Sequence, residues 1–482
     1  MKTLVANRGE IACRVLKTLS ELGLPSVAVY TDVDADAPHV WLADEAGALG
    51  EPSNYLDADR ILSACRDTGA VAVHPGYGFL SENQAFAEAC GQAGVTFIGP
   101  SAAAMRALGD KRQAREVAEN AGVPVVPGAK ECDSLEQARK AVADVGFPVL
   151  LKAAGGGGGK GMRKVMEPDS LAEHYDAARR EAQAAFGDSR LLVEKYVYPA
   201  RHVEVQILAD GRDAVAIGER ECSLQRRYQK IVEEAPSPGI DAATRERLFA
   251  SAVKLARAVG YAGAGTVEFL VGPDGKHYFL EVNTRLQVEH PVTELCTGLD
   301  LVACQIDIAR GGALPPQPRA HGHAIEARLN AEDPYAGFLP QTGDILRLRW
   351  PARPGVRIDA GIEEGGRISA HYDSMIAKVI AWGANREQAR RRLLAALSEA
   401  VVLGLPTNQS FLVQVLQRDF FIDGQTFTTT IEESRFEPPP IPDAVRALAE
   451  RVLERPARTA SNDGESDAYS PWEQLEGFRL GQ

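Results

Sequence analysis

The sequence of 482 residues predicts a multidomain protein of mixed α/β and α+β class. Three observations carry that expectation. A single hydrophobic core rarely grows past about 250–300 residues, so a chain of this length calls for several. Over roughly the first hundred residues, short apolar runs alternate with amphipathic helical stretches, the pattern of a parallel sheet covered by helices. Beyond about Asp110 the runs lengthen and are joined by Asp-Gly pairs, the pattern of antiparallel hairpins.

Composition narrows the class further. With 45% hydrophobic and 25% charged residues the chain can bury ordinary globular cores. No apolar run approaches the ~20 residues of a membrane span. The start, "MKTLVANRGE", turns polar too quickly for a secretory signal. A bacterial cytoplasm is the expected compartment, with a mitochondrial matrix as the alternative. The net charge of −13 argues against a nucleic-acid partner. Phosphate sites need only a local cluster of cations, so a nucleotide stays open. The seven cysteines are widely spaced and form no C-x-x-C, which predicts reduced, mostly buried thiols instead of a zinc site or a disulfide framework.

Taken in order, "KTLVANR" reads as a strand and "GEIACRVLKTLSELG" as an amphipathic helix ending on Gly23. Strands "SVAVY", "AVAVHPGY" and "VTFIGP" follow, with helices between them. No G-x-G-x-x-G occupies the first strand–helix turn, so a nicotinamide domain is not indicated. From Asp110 come a helix, "DKRQAREVAENAG", then "VPVVPG", another helix, and the stretch "PVLLKAAGGGGGKGMRKV". Two hairpins follow, "HVEVQILADGRDAVAIGER" and "GTVEFLVGPDGKHYFLEVN", each with a two-residue Asp-Gly turn signal. "ARGGALPPQPRA" is a connector. A third region holds strands around "HAIEARLN" and "DSMIAKVIAWG" and the helix "NREQARRRLLAALSEAVV". Beyond Arg435, "FEPPPIP" is stiff and extended, and "ERPARTASNDGESDAYS" has the composition of a disordered linker. "PWEQLEGFRLGQ" then reads as the first strand of a further, truncated domain.

The five consecutive glycines, Gly155 to Gly159, lie between two apolar strands, with Lys152 before them and Lys160 after. Bare backbone N–H groups in such a tip can approach a polyphosphate closely. The Walker A pattern fails at both ends, since Ala154 and Gly161 stand where Gly and Ser/Thr are required. Taken alone, the run reads equally well as a phosphate flap or as a plain flexible turn.

The second hairpin supplies context. With Asp274-Gly275 as a two-residue turn, Glu268 and Glu281 fall directly opposite each other, their Cβ atoms about 4.5–5.5 Å apart. Two like charges on a semi-buried face call for a cation between them or a proton on one. Asn283 shares the face, and two carboxylates with an amide oxygen make a hard-oxygen site suited to Mg²⁺ and phosphate. The competing reading is a solvated face with incidental acids. If the strand stays extended, Arg285, Gln287 and Glu289 continue the alternation. They would bring a guanidinium fork for a small planar anion and a carboxylate that could act as a base, or else form an ion-paired loop.

Together these residues lie within a longer set of motifs. "ANRGEIACRV", "HPGYGFLSEN", "FIGPS", "GDK", "LLKAAGGGGGKGM", "VEKYV", "RHVEVQIL", "ERECSLQRRYQK", "VEEAPSPG", "VEFL", "LEVNTRLQVEHPVTE", "EARLNAEDP" and "YDSMIAKVI" run in order through residues 3–434. In this the chain resembles biotin carboxylase, an ATP-grasp enzyme that opens the reaction of biotin-dependent carboxylases. The resemblance implies a Rossmann-like N-terminal (pre-ATP-grasp) domain over 1–109 and an ATP-grasp domain over 110–317, with a glycine-rich lid at about 124–197. It further implies a C-terminal biotin carboxylase domain over 318–434, and linker over 435–482.

By the same resemblance the chain is an ADP-forming C–N ligase. It would use ATP, Mg²⁺ (or Mn²⁺) and bicarbonate, pass through carboxyphosphate, and carboxylate biotin on a separate carrier. Lys111 and Lys152 would contact ATP phosphates, Gly158 and Gly159 the flap, and Glu194, Lys195, Tyr196 and Val197 the adenine, with His202 and Gln225 nearby. Glu268, Glu281 and Asn283 match the metal positions. Lys230, Arg285, Gln287 and the backbone of Val288 match the bicarbonate pocket, and Glu289 its base. Arg328 matches the residue that holds the biotin enolate. Tyr228 departs from the histidine common in the family. No methionine lies in a Met-Lys-Met context, so biotin would be carried elsewhere. A biotin carboxyl carrier domain and a carboxyltransferase subunit are the implied partners, in a homodimer or a larger complex of methylcrotonyl-, propionyl- or acetyl-CoA type. Other ATP-grasp ligases and a catalytically dead scaffold are the competing readings. "RLQVEHP" with "EARLNAEDP" argues against the first, and the intact charged positions against the second.

Overall fold

The structure is a computed structural model that describes residues 1–447 apart from 129–130, 154–161, 228 and 442. Gly158, Gly159, Tyr228 and the expected linker and strand after residue 447 lie outside the described residues. The chain divides into Met1–Glu437 and Pro438–Gln482. In the second unit residues 443–447 are helical.

The first sheet joins β1 (Thr3–Val5), β2 (Ser26–Thr31), β3 (Glu45–Gly50), β4 (Ala72–His74) and β5 (Thr96–Phe97) in the order β3-β2-β1-β4-β5, all parallel. Helix α1 (Gly9–Glu21) buries Ile11, Val15, Leu16 and Leu19, the helical repeat that the sequence shows. Strand β3 is not legible from the sequence. Its "EAGALG" is a largely exposed edge with no run of β-branched residues.

A small sheet, β7-β6-β8, follows from β6 (Val149–Ala153), β7 (Arg163–Val165) and β8 (Leu191–Lys195), antiparallel throughout. The helix Leu171–Phe186 covers it through Leu171, Tyr175, Ala178 and Ala182. The two strands expected on either side of the glycine run are therefore present as β6 and β7.

The third sheet has eight antiparallel strands. Its members are β9 (Arg201–Asp210), β10 (Ala214–Arg226), β11 (Gln229–Ala235), β12 (Ala262–Val271), β13 (His277–Asn283), β14 (His323–Asn330), Val356–Ala360 and Met375–Gly383. From one edge the order is β13-β12-β9-β10-β11-β14, then Met375–Gly383, then Val356–Ala360. The pairing of β11 with β14, which sets Glu233 opposite Glu326, makes one sheet continuous across residues 317 and 318.

The hairpins form, but their turns differ from the Asp-Gly expectation. Between β9 and β10 the Asp210 N–H donates to the Asp213 carbonyl at 3.1 Å, so the turn residues are Gly211 and Arg212. Between β12 and β13 the Gly272 N–H donates to the Lys276 carbonyl at 2.9 Å and encloses three residues, Pro273 to Gly275. Gly275 takes φ of +73°, a conformation that glycine adopts without a Cβ penalty. That extra loop residue would slip the register by one. Near the tip, Phe269 pairs with Phe279; past a bulge at Leu280, Glu268 pairs with Glu281 after all. The expected juxtaposition of the two glutamates is thus present, for a reason other than turn length.

The first sheet with its helices, the N-terminal unit within Met1–Glu437, meets the end of the strand Val356–Ala360 at Gly361. A Cβ there would stand 2.2 Å from the backbone nitrogen of Glu10, at the start of α1. Gly361→Ala must push two backbones apart, and we expect a loss of about 1–3 kcal/mol, the usual cost of overpacking. A urea or thermal melt that matched wild type would contradict this.

Candidate active site

One row of side chains crosses four strands of the large sheet. Arg220 on β10 lies opposite Glu204 on β9, Glu204 opposite Glu268 on β12, and Glu268 opposite Glu281 on β13. Directly opposed residues share a face, so three carboxylates follow one another along it. Such a row is destabilising unless cations attend it.

Lys230, near the start of β11, supplies the main one. Its Nζ donates to Glu204 Oε2 at 2.5 Å, to Glu268 Oε1 at 2.9 Å and to Glu289 Oε1 at 2.6 Å. Burial alone would lower the lysine's pKa, but the carboxylates of Glu204, Glu268 and Glu289 outweigh it and raise it well above the ordinary value. Gln225 lies opposite Lys230 across the β10–β11 pair. His202, two residues before Glu204, places Nε2 2.7 Å from Glu268 Oε2. Burial would raise Glu268, yet Lys230 and His202 hold it well below the usual carboxylate range.

Glu289 is the second focus. One oxygen accepts from Lys230; the other accepts from Arg328 Nη2 at 2.9 Å. Arg328, on β14, also donates from Nε to Glu233 Oε1 at 2.6 Å. Burial pushes Glu289 up, but Lys230 and Arg328 prevail and keep it below its ordinary value. At Glu233 burial prevails over Arg328, and its pKa rises to about 7.

The segment carrying Arg285, Gln287 and Glu289 is not an extended strand, contrary to the alternation read from the sequence. Strand β13 stops at Asn283, and Glu289 is the N-terminal flanking residue of the helix His290–Thr297, with φ −82° and ψ 9°. Each side chain is aimed by a separate partner. Gln287 donates to Glu268 Oε1 at 2.7 Å and accepts from Arg220 at 2.8 Å. Arg285 donates to Glu82 Oε2 at 3.0 Å and to Asn283 Oδ1 at 2.9 Å. The Val288 carbonyl accepts from Lys378 Nζ at 2.9 Å.

Other expected residues sit at the margin. Lys111 is largely exposed, with Nζ 3.2 Å from Glu281 Oε2. Lys152 on β6 pairs with Glu194 on β8. Lys195 donates to the Phe147 carbonyl at 2.6 Å, and the Tyr196 ring stacks on Tyr198 with centroids 5.7 Å apart. The side chain of Val197 packs beside Gly272, at the base of the β12–β13 loop.

The donor set fits a hard divalent cation. Glu268 and Glu281 are cross-strand neighbours, and Asn283, which donates to Glu268 Oε1 at 2.7 Å, adds an amide oxygen on the same face. The Glu281 side chain is 36% exposed, which leaves its carboxylate open to a ligand.

Sequence reading passed over Glu82, Glu204, Arg220, Glu233 and Lys378. Glu204 was signalled by its alternation with His202 and Gln206 in an otherwise apolar strand. Arg220, wholly buried, donates to Glu204, Gln206, Thr293, Thr266 and Gln287. Glu82 lies in the motif "HPGYGFLSEN", but nothing in that motif shows that it meets Arg285.

Comparison with known proteins identifies the family. Residues 1–105 match the family model described as "Biotin carboxylase, N-terminal domain", residues 110–317 match "Carbamoyl-phosphate synthase L chain, ATP binding domain", and residues 326–433 match "Biotin carboxylase C-terminal domain". The chain is 47% identical to the biotin carboxylase of Nostoc sp. over 440 residues, which cover 90% of this chain and 98% of that protein. The chain belongs to the biotin carboxylase family. It is also 44% identical to the mitochondrial methylcrotonoyl-CoA carboxylase subunit alpha of Dictyostelium discoideum, covering 99% of this chain and 70% of that one. Among solved structures, a biotin carboxylase–β-γ-ATP complex from Campylobacter jejuni superposes with a TM-score of 0.83 at 42% identity, covering 90% of this chain and 98% of that one. The biotin carboxylase domain dimer of the Hydrogenobacter thermophilus 2-oxoglutarate carboxylase, solved with MgADP, ADP and bicarbonate, gives 0.83 at 43% identity and covers 90% and 99%. This chain is thus an ATP-dependent biotin carboxylase, the enzyme of the first half-reaction.

Two stability effects follow. Arg220→Leu leaves Glu204 with Lys230 alone and takes the donor from Gln206, Thr266, Thr293 and Gln287, and should cost about 3–5 kcal/mol in urea unfolding. Glu268 and Glu289 ionise more readily folded than unfolded. The stability they contribute is full above the unfolded carboxylate pKa and is lost as pH falls through the folded ones. Lys230→Met raises both folded values, so the acid unfolding midpoint should move to higher pH; an unchanged midpoint would count against the assignment.

Proposed function

We propose that Lys230, Arg285, Gln287 and the Val288 backbone receive bicarbonate, and that Glu289 removes its proton. The observation that carries this reading is the Glu289 carboxylate, with one oxygen on Lys230 and the other on Arg328. Held that way it is a weak base. An arriving anion competes for Lys230, and as that cation turns to it Glu289 regains proton affinity. The base would thus strengthen only when its substrate is present.

Glu268, Glu281 and Asn283 would hold Mg²⁺, which when bound offsets charge on the transferring phosphoryl group. Lys111 and Lys152 would add positive charge to the phosphates. Glu194 to Val197, with His202 and Gln225, would line the nucleotide site, and Gly158 and Gly159 would belong to the closing flap. The deprotonated bicarbonate attacks the γ-phosphorus to give carboxyphosphate and ADP. Carboxyphosphate then cleaves to CO₂ and phosphate, the phosphate takes the N1 proton of biotin, and Arg328, released from Glu289, would hold the ureido oxygen as N1 adds to CO₂. The domain division at 1–109, 110–317 and 318–434 is retained as part of this reading.

The likeness to α subunits supports a biotin carboxyl carrier domain and a carboxyltransferase subunit as partners, with methylcrotonyl-, propionyl- or acetyl-CoA as the eventual acceptor. The Hydrogenobacter thermophilus domain, solved as a dimer, supports a homodimer. Among the described residues no helix is long and apolar enough to cross a membrane. Relatives come from bacteria and mitochondria, and we place this chain in a bacterial cytoplasm.

Glu289→Gln should lower bicarbonate-dependent ADP release by about 10²–10⁴-fold. Arg328→Ala should retain bicarbonate-dependent ADP release but lose its stimulation by free biotin. Persistence of bicarbonate dependence in Glu289→Gln at the wild-type rate would overturn the reading.

A further inference from the structure

Lys378 lies in the motif "YDSMIAKVI", to which the reaction above gives no task. It sits on the strand Met375–Gly383, and its side chain is wholly buried. Its Nζ donates to the Val288 carbonyl at 2.9 Å and lies 3.1 Å from Glu10 Oε2 and 3.9 Å from Asp359 Oδ2. Across the sheet it is directly opposite Arg328 on one side and Asp359 on the other. Arg328 and Lys378 therefore stand side by side on one face. They reach consecutive residues of one turn, Arg328 the carboxylate of Glu289 and Lys378 the carbonyl of Val288.

Burying an ammonium is expensive, and an apolar chain of similar volume would pack the same space at lower cost. A task specific to the ammonium is therefore called for, and the hydrogen bond to the turn supplies one. A peptide unit is planar. Fixing the Val288 carbonyl fixes the plane shared with the Glu289 N–H and the Glu289 Cα; with φ of −82° at Glu289, that plane sets the direction in which its side chain leaves the backbone. We infer that Lys378 is a positioning residue for the bicarbonate turn, held in place by Glu10 from the N-terminal unit. The inference rests on the bicarbonate reading of that turn. It gives the N-terminal unit a part in setting the base, through α1 and the close approach at Gly361.

The test compares the full chain with Lys378→Met, Lys378→Met/Glu10→Gln and Glu289→Gln. The single variant leaves Glu10 buried without its ammonium and should melt early for that reason alone. The double variant removes the stranded charge but not the loss of the donor. We expect it to recover most of the lost melting temperature while its KM for bicarbonate stays raised by about 10- to 100-fold, the worth of one charged hydrogen bond. Its KM for ATP should stay within about twofold of wild type, because the bond acts on the turn alone. A double variant with wild-type bicarbonate KM would overturn the inference and make Lys378 structural only. Equal rises in both KM values would overturn it too, as general damage. Loss of bicarbonate dependence in Glu289→Gln keeps the underlying reading intact in either case; its retention would bring down that reading and this inference together.

Discussion

The ammonium of Lys230 is what allows two neighbouring glutamates, Glu204 and Glu268, to share one buried face. Glu204, Glu268 and Glu281 succeed one another across strands β9, β12 and β13, an arrangement that sheet energetics disfavours. Lys230 reaches the first two and then Glu289, on a different segment. Arg220 closes the row at the other end with its donors directed at five partners. Neither cation is spare, and neither carboxylate pair would be tolerable without them. The surplus of negative charge over the whole chain therefore coexists with a locally balanced site.

Balance of this kind keeps the site assembled without substrate, and it also restrains it. A carboxylate with both oxygens on cations binds a proton weakly, and under the proposed reading it strengthens as a base only when a cation is drawn away. The same contacts that stabilise the fold thus hold the chemistry in check. The two heterogeneous surroundings of Glu289 and Glu233 illustrate the point. Both touch Arg328, yet the first also meets Lys230 and ionises readily, while the second does not and is pushed to about 7 by burial.

Much of this was legible in the sequence, where local pattern and motif coincide. The parallel β1–α1–β2 start follows from apolar spacing, and Glu268, Glu281 and Asn283 from alternation along a hairpin. The opposition of Glu268 and Glu281 came out right from a wrong turn, since neither the three-residue loop nor the compensating bulge has a distinct signature. The path of Arg285 to Glu289 was misread because polar residues two apart look alike in a strand and in a loop. Glu82 and Lys378 fall inside quoted motifs, yet their tasks were not legible, for a different reason. Their importance lies in which distant residue they touch, and no local window holds that information.

The bulge at Leu280 has a consequence for how this hairpin can change over time. Because the extra residue is absorbed next to the glutamate pair and not at the tip, the two ends of the hairpin are out of phase with each other. Lineages can lengthen or shorten that tip by one residue, so long as a matching kink is gained or lost below it, and the glutamates keep their places.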